Sequence, residues 1–587
     1  MTMPAPPLRA QALLRLLGAG AAGAGAVALG WRAWAAGAAC NTHYLVLAQF
    51  CLQDRWLLPA TLALAALCLA WPMRRGESTV SGRTVSGRAV PGGAVAALVA
   101  GVAGLGWAGH YVVLAGYALS RDEQMAAFDA FIYGHGRLAW PLPPGWRALA
   151  GALNSLFMLP VAQPVAWVSA YLPGNALLLA AAARVGDAAL AGPACMALAL
   201  AATWGAGRRL WPGAQGREAS ALAVLLLATS GQFLFTGMSF YAMNAHLAAN
   251  ALWLWLFLAD RRRADAAAIL LGFAATGLHQ PLFHPLFVAP WLAMLLAQGR
   301  WRRGLAYGLA YGAIGLFWLH WPHVTLAAVS GAGAQAQPGV DFAARLAALW
   351  HAKGAGVPFM AYNLLRFALW QSLPMLPLAG LGLWQCWRRR QPRLWALAAG
   401  LVAPFVVMAV LLPDQGYGMG YRYAHQVLGN AALLAGEGWR ALGGGRARLR
   451  PLVGRALALS LVLLAVQGVM LHRLYATSAA LSARLAGLPA DYVLVGADDA
   501  PFVADLVLNR PDLANRPLRL LASEIDAPED LAARICPAHP RLAMPEDSLF
   551  APLNALYGQP PAGLAHQRLV EDGPVYAEAG CLLVAAR

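Results

Sequence analysis

Three carboxylates lie close together between two long apolar segments of the chain. Asp122, Glu123 and Asp129 fall within eight residues, although acidic side chains are sparse before residue 485. A carboxylate that is held in place can accept a proton in a reaction, so this stretch is a candidate site for general-base chemistry. If residues 122–133 form a helix of about 100° per residue, Asp122, Asp129 and Tyr133 share one narrow face.

A neighbouring stripe of the same helix is apolar and consists of Met125, Phe128 and Ile132. This pattern is typical of an amphipathic helix that lies on a membrane surface and presents its carboxylates to water. The other interpretation is that these acids only solvate a loop.

Two later stretches also carry side chains that could do chemistry. The sequence GLHQPLFHP contains His279 and His284, and an ionisable group at membrane depth is a functional candidate. Buried histidines are also often part of a hydrogen-bonded core, and both interpretations remain open. The sequence GYGMGYRYAHQ contains Tyr421, Arg422 and His425. Arg422 lies on the predicted outer side, against the charge rule for membrane loops, so we expect it to bind an anion such as phosphate.

The composition indicates what kind of element positions these residues. The chain has 587 residues, of which 60% are hydrophobic and only 12% are charged, and its mean hydropathy is +0.54. Soluble globular proteins carry about 25% charged residues, so this is the composition of an integral membrane protein. The net charge of +17 comes from arginines clustered between apolar segments, which favours membrane topology over nucleic-acid binding.

Counting apolar segments between the arginine clusters predicts about 13 transmembrane helices, of which the first three cover residues 13–34, 56–71 and 92–119. The loop between the second and the third contains Arg74 and Arg75 and is expected inside. The N-terminus is expected inside and the C-terminus outside. Residues 1–475 would form the membrane domain, with a large outer loop at 120–187 that holds the three carboxylates.

Residues 476–587 differ in character, since they are rich in acids and contain short apolar runs. We expect a small soluble α/β domain with strands near Tyr492–Val495, Leu518–Leu521, Leu542–Met544 and Leu582–Ala585. This domain contains Cys536 and Cys581. An oxidising compartment would favour a disulfide between them, and two unrelated buried thiols are the other possibility.

At this point the residues resemble a known family. The acidic pair at the start of the first large outer loop is followed by Phe128, Tyr133, Gly134, Gly136 and the Y-x-P-G segment Tyr171–Gly174. This pattern resembles the GT-C superfamily of polyprenyl-phosphate-sugar-dependent glycosyltransferases, such as bacterial aminoarabinose and mannosyl transferases. The resemblance extends over the membrane part, up to about residue 475.

The resemblance implies transfer of a sugar from a polyprenyl-phosphate donor to a hydroxyl acceptor on a glycan, lipid or protein. Asp122 would be the base, and Glu123 or Asp129 would orient the acceptor or bind a divalent cation. Arg422 and His425 would hold the phosphate. The remaining substrate-binding candidates are Tyr133, His279, His284 and Tyr421.

The expected location is a bacterial inner membrane, with the site facing the exterior. Two other functions compete. A secondary transporter would need ionisable residues within spans and inverted repeats, and the sequence shows few of the former and none of the latter. A polysaccharide polymerase or ligase also uses lipid-linked sugars, but the acidic pair argues against it.

Overall fold

Apolar sequence that enters a membrane must satisfy its backbone hydrogen bonds internally, so it forms helices. The computed structural model describes residues 8–35, 40, 45–71, 91–330, 356–413 and 415–586. The predicted inner loop that contains Arg74 and Arg75 lies outside these residues, and so does Asp414.

The membrane part consists mainly of helices. In chain order they are α1 Leu8–Ala35, α2 Leu45–Gln49, α3 Arg55–Ala70, α4 Gly92–Val112, α5 Arg121–Gly134, α6 Ala150–Leu153, α7 Gly174–Val185, α8 Ala191–Leu210, α9 Ala214–Ala228, α10 Gly231–Gly237, α11 Met243–Phe257, α12 Arg262–Thr276, α13 Phe283–Ala297, α14 Trp301–Ser330, α15 Gly356–Leu369, α16 Met375–Arg389, α17 Pro392–Leu411, α18 Leu428–Ala441 and α19 Arg446–Ala486. The short strands β1 Trp140–Pro141 and β2 Ala166–Trp167 pair antiparallel in the outer loop.

Within the described residues, five helices are long and apolar enough to cross a membrane. A sixth crossing results if α9 and α10, which meet at 61°, count as one broken span. The protein is therefore an α-helical polytopic membrane protein. The expected total of about 13 spans stays a prediction.

The last part of the chain forms a four-stranded parallel sheet in the order β4–β3–β5–β6. Its strands are β3 Tyr492–Val495, β4 Leu518–Leu521, β5 Arg541–Pro545 and β6 Leu582–Ala586, and they coincide with the four apolar runs of the sequence. Its helices are α20 Pro528–Ile535, α21 Asp547–Tyr557, α22 Leu564–Glu571 and α23 Gly573–Glu578. The boundary proposed at residue 475 falls inside α19, which continues to Ala486.

Cys536 and Cys581 form a disulfide, as one of the two interpretations predicted. A second disulfide joins Cys40 to Cys51, and no signal in the sequence pointed to it.

The position of α5 corrects one expectation. The apolar stripe of Met125, Phe128 and Ile132 packs in a buried cluster with Leu494 and Leu520 of the parallel sheet. The stripe therefore faces the C-terminal sheet and the outer loop. The prediction that this helix presents its carboxylates to water was wrong, since Glu123 and Asp129 are buried within the protein.

Candidate active site

The start of α5 is fixed by its own sequence. Ser120 and Glu123 form a capping box, in which each side chain bonds the other residue's backbone N–H. Glu123 also accepts hydrogen bonds from the Tyr475 hydroxyl, at 3.1 Å, and from the Phe240 backbone N–H, at 3.4 Å. Both of its oxygens are thus engaged in hydrogen bonds that hold α5 in place.

Asp122, which precedes Glu123 in the sequence, points in a different direction and makes different contacts. One carboxylate oxygen forms an ion pair with Arg422, and the other accepts a hydrogen bond from the Tyr171 hydroxyl. The side chains of Asp122 and Arg422 are 15% and 8% exposed. Because both side chains keep some exposure, a ligand can contact this ion pair. A fully buried ion pair in the core offers no such access.

A glycine-rich turn brings Arg422 to this position. Gly416, Gly418 and Gly420 have φ of +89°, +144° and +77°, backbone conformations that residues with a side chain rarely adopt. The turn closes with a hydrogen bond of 2.7 Å from the Arg422 backbone N–H to the Gly416 carbonyl. The guanidinium then lies over the ring of Tyr241, with 4.5 Å between its carbon and the ring centroid.

Close backbone contact brings Tyr171 and His279 together. Gly174 donates to the carbonyl of Gly277 at 2.9 Å, and a Cβ on Gly174 would lie 2.7 Å from that oxygen. Only glycine fits there, which gives the last residue of the Y-x-P-G segment a physical role. The rings of Tyr171 and His279 consequently pack with centroids 4.4 Å apart.

Asp129 lies two turns along α5 from Asp122, as the predicted helical face requires. It accepts hydrogen bonds from the Ser169 backbone N–H, at 3.0 Å, and from the Ser169 hydroxyl. Asp122 and Asp129 line one small void of about 10 Å³, together with Tyr171 and His279. A void of this size is close to the minimum that holds a single water molecule.

The carboxylates of α5 differ in protonation because their surroundings differ. Burial raises the pKa of Glu123 to about 7 and the pKa of Asp129 to about 7. Burial also acts to raise the pKa of Asp122, but Arg422 opposes it, and the net result is a pKa below the ordinary value. Burial lowers the pKa of His279 to about 4, although Asp122 opposes this shift. At neutral pH Asp122 is therefore ionised and His279 is neutral.

Two neighbouring cavities lie close to the Asp122–Arg422 pair. Cavity A, of about 170 Å³, is bounded by Asp122, Arg422 and His279 on one side and by apolar side chains of α14 and α17 on the other. The apolar residues include Trp318, Leu319, Pro322 and Leu411. Arg422 is the single arginine or lysine that lines cavity A within the described residues.

Cavity B, of about 100 Å³, lies on the side of the C-terminal domain. It is bounded by the start of α5, by α19, by the segment before α3 and by loops of the C-terminal domain. Tyr417 lines both cavities, so a wall only one or two side chains thick separates them.

The other residues expected from the sequence lie away from the two cavities. His284 bonds Asn250 and Tyr311, each at 2.7 Å, and His425 bonds Asn244 at 2.7 Å. These two histidines are hydrogen-bonded in the helical core, as one of the interpretations of the sequence allowed.

Two tyrosines complete the set of expected residues. Tyr421 is fully buried in the main apolar core, beside the turn that carries Arg422. Tyr133 is buried between α5 and the outer loop. The hydroxyls of Tyr133 and Tyr421 find no hydrogen-bond partner within the described residues.

An ion pair that was not expected from the sequence contacts the glycine-rich turn. Asp54 and Arg366 pair at 2.7 Å, and both side chains are fully buried. Arg366 also donates to the carbonyl of Gly418 at 2.6 Å. The isolated position of Arg366 within the apolar sequence of α15 was a signal that could have singled out this arginine, although not its partner.

A divalent cation was considered as a cofactor, with Asp129 or Glu123 as its ligand. Within the described residues, no group of three or more His, Cys, Asp and Glu side chains could hold a metal ion. The structure therefore offers no protein ligand set for a metal ion in the part that it describes.

No protein-family model and no curated protein matches the chain. Among solved structures, the chain is similar to ArnT from Cupriavidus metallidurans bound to undecaprenyl phosphate, at 16% identity and a TM-score of 0.46, over 71% of this chain and 84% of that one. Apo ArnT from the same organism gives 14% identity and a TM-score of 0.47, over 72% and 85% of the two chains. The oligosaccharyltransferase of Archaeoglobus fulgidus, in complex with Zn and sulfate, gives 12% identity and a TM-score of 0.35, over 71% and 62%. At these values the similarity concerns the fold only, so the function has to be inferred from the site's own geometry.

Proposed function

We propose that the protein is a membrane glycosyltransferase that moves a sugar from a polyprenyl-phosphate donor to a hydroxyl acceptor. The observation that carries this proposal is the pairing of Asp122 with Arg422 on one wall of a cavity that has an apolar wall formed by α14 and α17. The site thus combines three features. The ionised carboxylate can act as a base, the fork-shaped guanidinium can bind a phosphate, and the apolar surface can contact a lipid chain.

Arg422 is the group that would hold the donor phosphate. A guanidinium binds phosphate through two parallel N–H donors, and its charge stabilises the oxygen that departs with the bonding electrons. Tyr241 packs against one face of this guanidinium and restricts its orientation. The apolar side chains of α14 and α17 would then contact the first isoprene units of the donor.

Asp122 would accept the proton of the acceptor hydroxyl. As the acceptor oxygen bonds to the sugar carbon, the bond from that carbon to the phosphate oxygen breaks and the phosphate leaves with the electron pair. In the described arrangement Asp122 is a weak base, because Arg422 and Tyr171 stabilise its ionised form. A donor phosphate would compete for Arg422, and loss of that counter-ion would raise the pKa of Asp122 when the base is needed.

The two disulfides support an outward-facing site in an oxidising compartment such as the bacterial periplasm. Cys40–Cys51 precedes α3, and Cys536–Cys581 belongs to the C-terminal domain. The two regions touch, since the Cys40 backbone N–H donates to the Tyr557 carbonyl at 2.9 Å. One side of the membrane would therefore hold both disulfides and the Asp122–Arg422 pair.

The test is to incubate the purified full-length protein in lipid nanodiscs with a radiolabelled polyprenyl-phosphate sugar and a panel of acceptors. We expect release of polyprenyl phosphate together with a labelled product. Movement of label across a proteoliposome membrane without any bond cleavage would instead identify a transporter and refute the proposal.

Two substitutions at Arg422 examine the phosphate site. Arg422→Ala should raise the apparent KM for the donor, and Arg422→Lys should remain impaired because lysine keeps the charge but loses the planar fork. An unchanged donor KM in Arg422→Ala would show that the phosphate binds elsewhere.

A further inference from the structure

Cavity B is lined by tyrosines as well as by aliphatic side chains. Five tyrosines line it: Tyr117, Tyr241, Tyr417, Tyr475 and Tyr557. A tyrosine offers a flat apolar face together with a hydroxyl that can donate and accept. A ligand with alternating apolar and hydroxylated surfaces would match such walls.

The charges around cavity B narrow the class of ligand. Within the described residues, its lining contains no arginine, lysine or histidine, and its one acid, Asp505, pairs with Arg121 at 3.6 Å. An anionic ligand would lose its hydration without gaining a counter-ion, which is costly at a buried site. The lining therefore favours an uncharged ligand.

Polar atoms are nevertheless available in the lining for a neutral ligand. Gln49 and Gln53 reach the cavity from the segment before α3, and Ser478 reaches it from α19. The side-chain oxygen of Gln49 is buried without a hydrogen-bond partner in the described residues. A buried acceptor without a partner is costly for the empty protein, and a ligand hydroxyl would satisfy it.

The C-terminal domain contributes a strained residue to the same wall. Phe502 has φ of +57°, a left-handed conformation that is unfavourable for an aromatic residue. Its ring packs against Tyr557 with centroids 5.3 Å apart, and both rings line cavity B. Strain of this kind is retained mainly at functional sites.

Cavity B also reaches the reacting groups. Tyr241 lines it, packs against the Arg422 guanidinium and lines the small void beside Asp122. Tyr241 therefore forms part of the wall between cavity B and the void that contains the Asp122 carboxylate.

We infer that cavity B binds the acceptor, that the acceptor is an uncharged polyhydroxyl compound such as a neutral glycan, and that Phe502 of the C-terminal domain helps to select it. The inference rests on the proposed function, which supplies a donor in cavity A. It assigns a specificity role to the C-terminal domain and excludes phosphorylated or acidic sugars as the group that enters cavity B.

A binding experiment tests cavity B without any donor. Saturation-transfer NMR of the full-length protein in nanodiscs, with methyl glucoside, methyl mannoside and glucose 6-phosphate as probes, should show contacts for the neutral glycosides only. Ser478→Leu, which fills the cavity from α19, should remove those contacts. A signal that survives Ser478→Leu, or a stronger signal for glucose 6-phosphate, would overturn the assignment.

A kinetic comparison separates the two cavities, with whichever neutral glycoside binds best as the acceptor. Phe502→Ala should raise the acceptor KM about 10-fold or more, the effect of losing apolar contact in a specificity pocket, and should change the donor KM by a much smaller factor. The matched control Trp318→Ala changes a residue that lines cavity A alone, and it should raise the donor KM only. If each variant raised the KM of donor and acceptor equally, the assignment of cavity A to the donor and cavity B to the acceptor would be refuted. If the protein binds a neutral glycoside but turns over no donor, the proposed function is refuted. Cavity B would then still be a glycan-binding site.

Discussion

The carboxylates of α5 illustrate how neighbours in sequence acquire different chemistry. Asp122 remains ionised because a guanidinium and a phenol contact it, whereas burial raises the pKa of both Glu123 and Asp129 to about 7. Of the three, Asp122 alone lines cavity A. The carboxylate that lines cavity A is therefore also the one whose pKa leaves it fully ionised at neutral pH.

The first prediction follows from this position. Asp122→Asn should reduce transfer about 10²–10⁴-fold, the usual cost of losing a positioned base. Asp129→Asn should be milder, because an asparagine can still accept from the Ser169 backbone N–H. Initial rates measured beside thermal unfolding of each variant separate catalysis from folding, and wild-type turnover in Asp122→Asn would show that another group is the base.

The second prediction concerns pH and stability. An unfolded glutamate loses its proton near pH 4.3, whereas folded Glu123 keeps its proton up to about pH 7. Between these values the folded state binds more protons, so the free energy of unfolding should fall as the pH rises and level off above about pH 7. Glu123→Gln should reduce this dependence, since the side chain stays neutral and still suits a capping box.

Thermal unfolding in nanodiscs from pH 5 to pH 8 measures the effect. Asp129 contributes with the same sign, so part of the pH dependence should remain in Glu123→Gln. Glu578→Gln, at an exposed position of the C-terminal domain, is the matched control. An unchanged pH profile in Glu123→Gln would contradict the burial of a neutral carboxyl group at this position.

At the scale of elements, the segment before α3 holds the turn that carries Arg422. Residues Phe50–Asp54 form a π-helical turn, a rare element that is often found at functional sites. Asp54 receives bonds from Tyr362 at 2.6 Å and from Trp370 at 3.1 Å, in addition to its ion pair with Arg366. Arg366, which these contacts hold in place, donates a hydrogen bond to the Gly418 carbonyl in the glycine-rich turn. Arg366 is thus a positioning residue for Arg422.

The third prediction distinguishes positioning from simple stabilisation. Asp54→Asn leaves Arg366 without a counter-ion, so it should destabilise the protein by about 3–5 kcal/mol and raise the donor KM. Combining Asp54→Leu with Arg366→Met removes both charges and should restore much of the stability. The donor KM should stay high in the double variant, because the Gly418 carbonyl has lost its donor. If the double variant recovers both its stability and the wild-type donor KM, the Asp54–Arg366 pair has only a structural role.

At the scale of the whole molecule, the two disulfides and the parallel sheet lie at the same end as the candidate site. The C-terminal sheet packs on α5, and the Cys40 segment contacts α21 of the same domain. The loop 120–187 and the Cys40 segment thus both pack against the C-terminal domain.

The fourth prediction is topological. Alkaline phosphatase fused after Arg484 should be active, because the arginine clusters place this point outside. A cytoplasmic reporter at the same position should be silent. The opposite pair of results would invert the topology and place both disulfides in a reducing compartment.

The sequence by itself determined much of the architecture. Hydropathy and arginine distribution predicted helices at 13–34, 56–71 and 92–119, and the structure has helices at Leu8–Ala35, Arg55–Ala70 and Gly92–Val112. The four apolar runs near the C-terminus became the four strands of the sheet. These features depend on local periodicity and on transfer free energy, which a linear chain already contains.

The tertiary structure decided which of the candidate residues meet. Asp122 and Arg422 are 300 residues apart in sequence, and only the packing of α5 against the glycine-rich turn brings them together. The same packing left His284 and His425 in the core and turned the apolar stripe of α5 towards a domain that begins after residue 486. Helical periodicity shows which side chains share a face, but it does not show what that face will contact. That depends on contacts between distant segments, which is why the Asp54–Arg366 pair and the two cavities could be found only in the folded molecule.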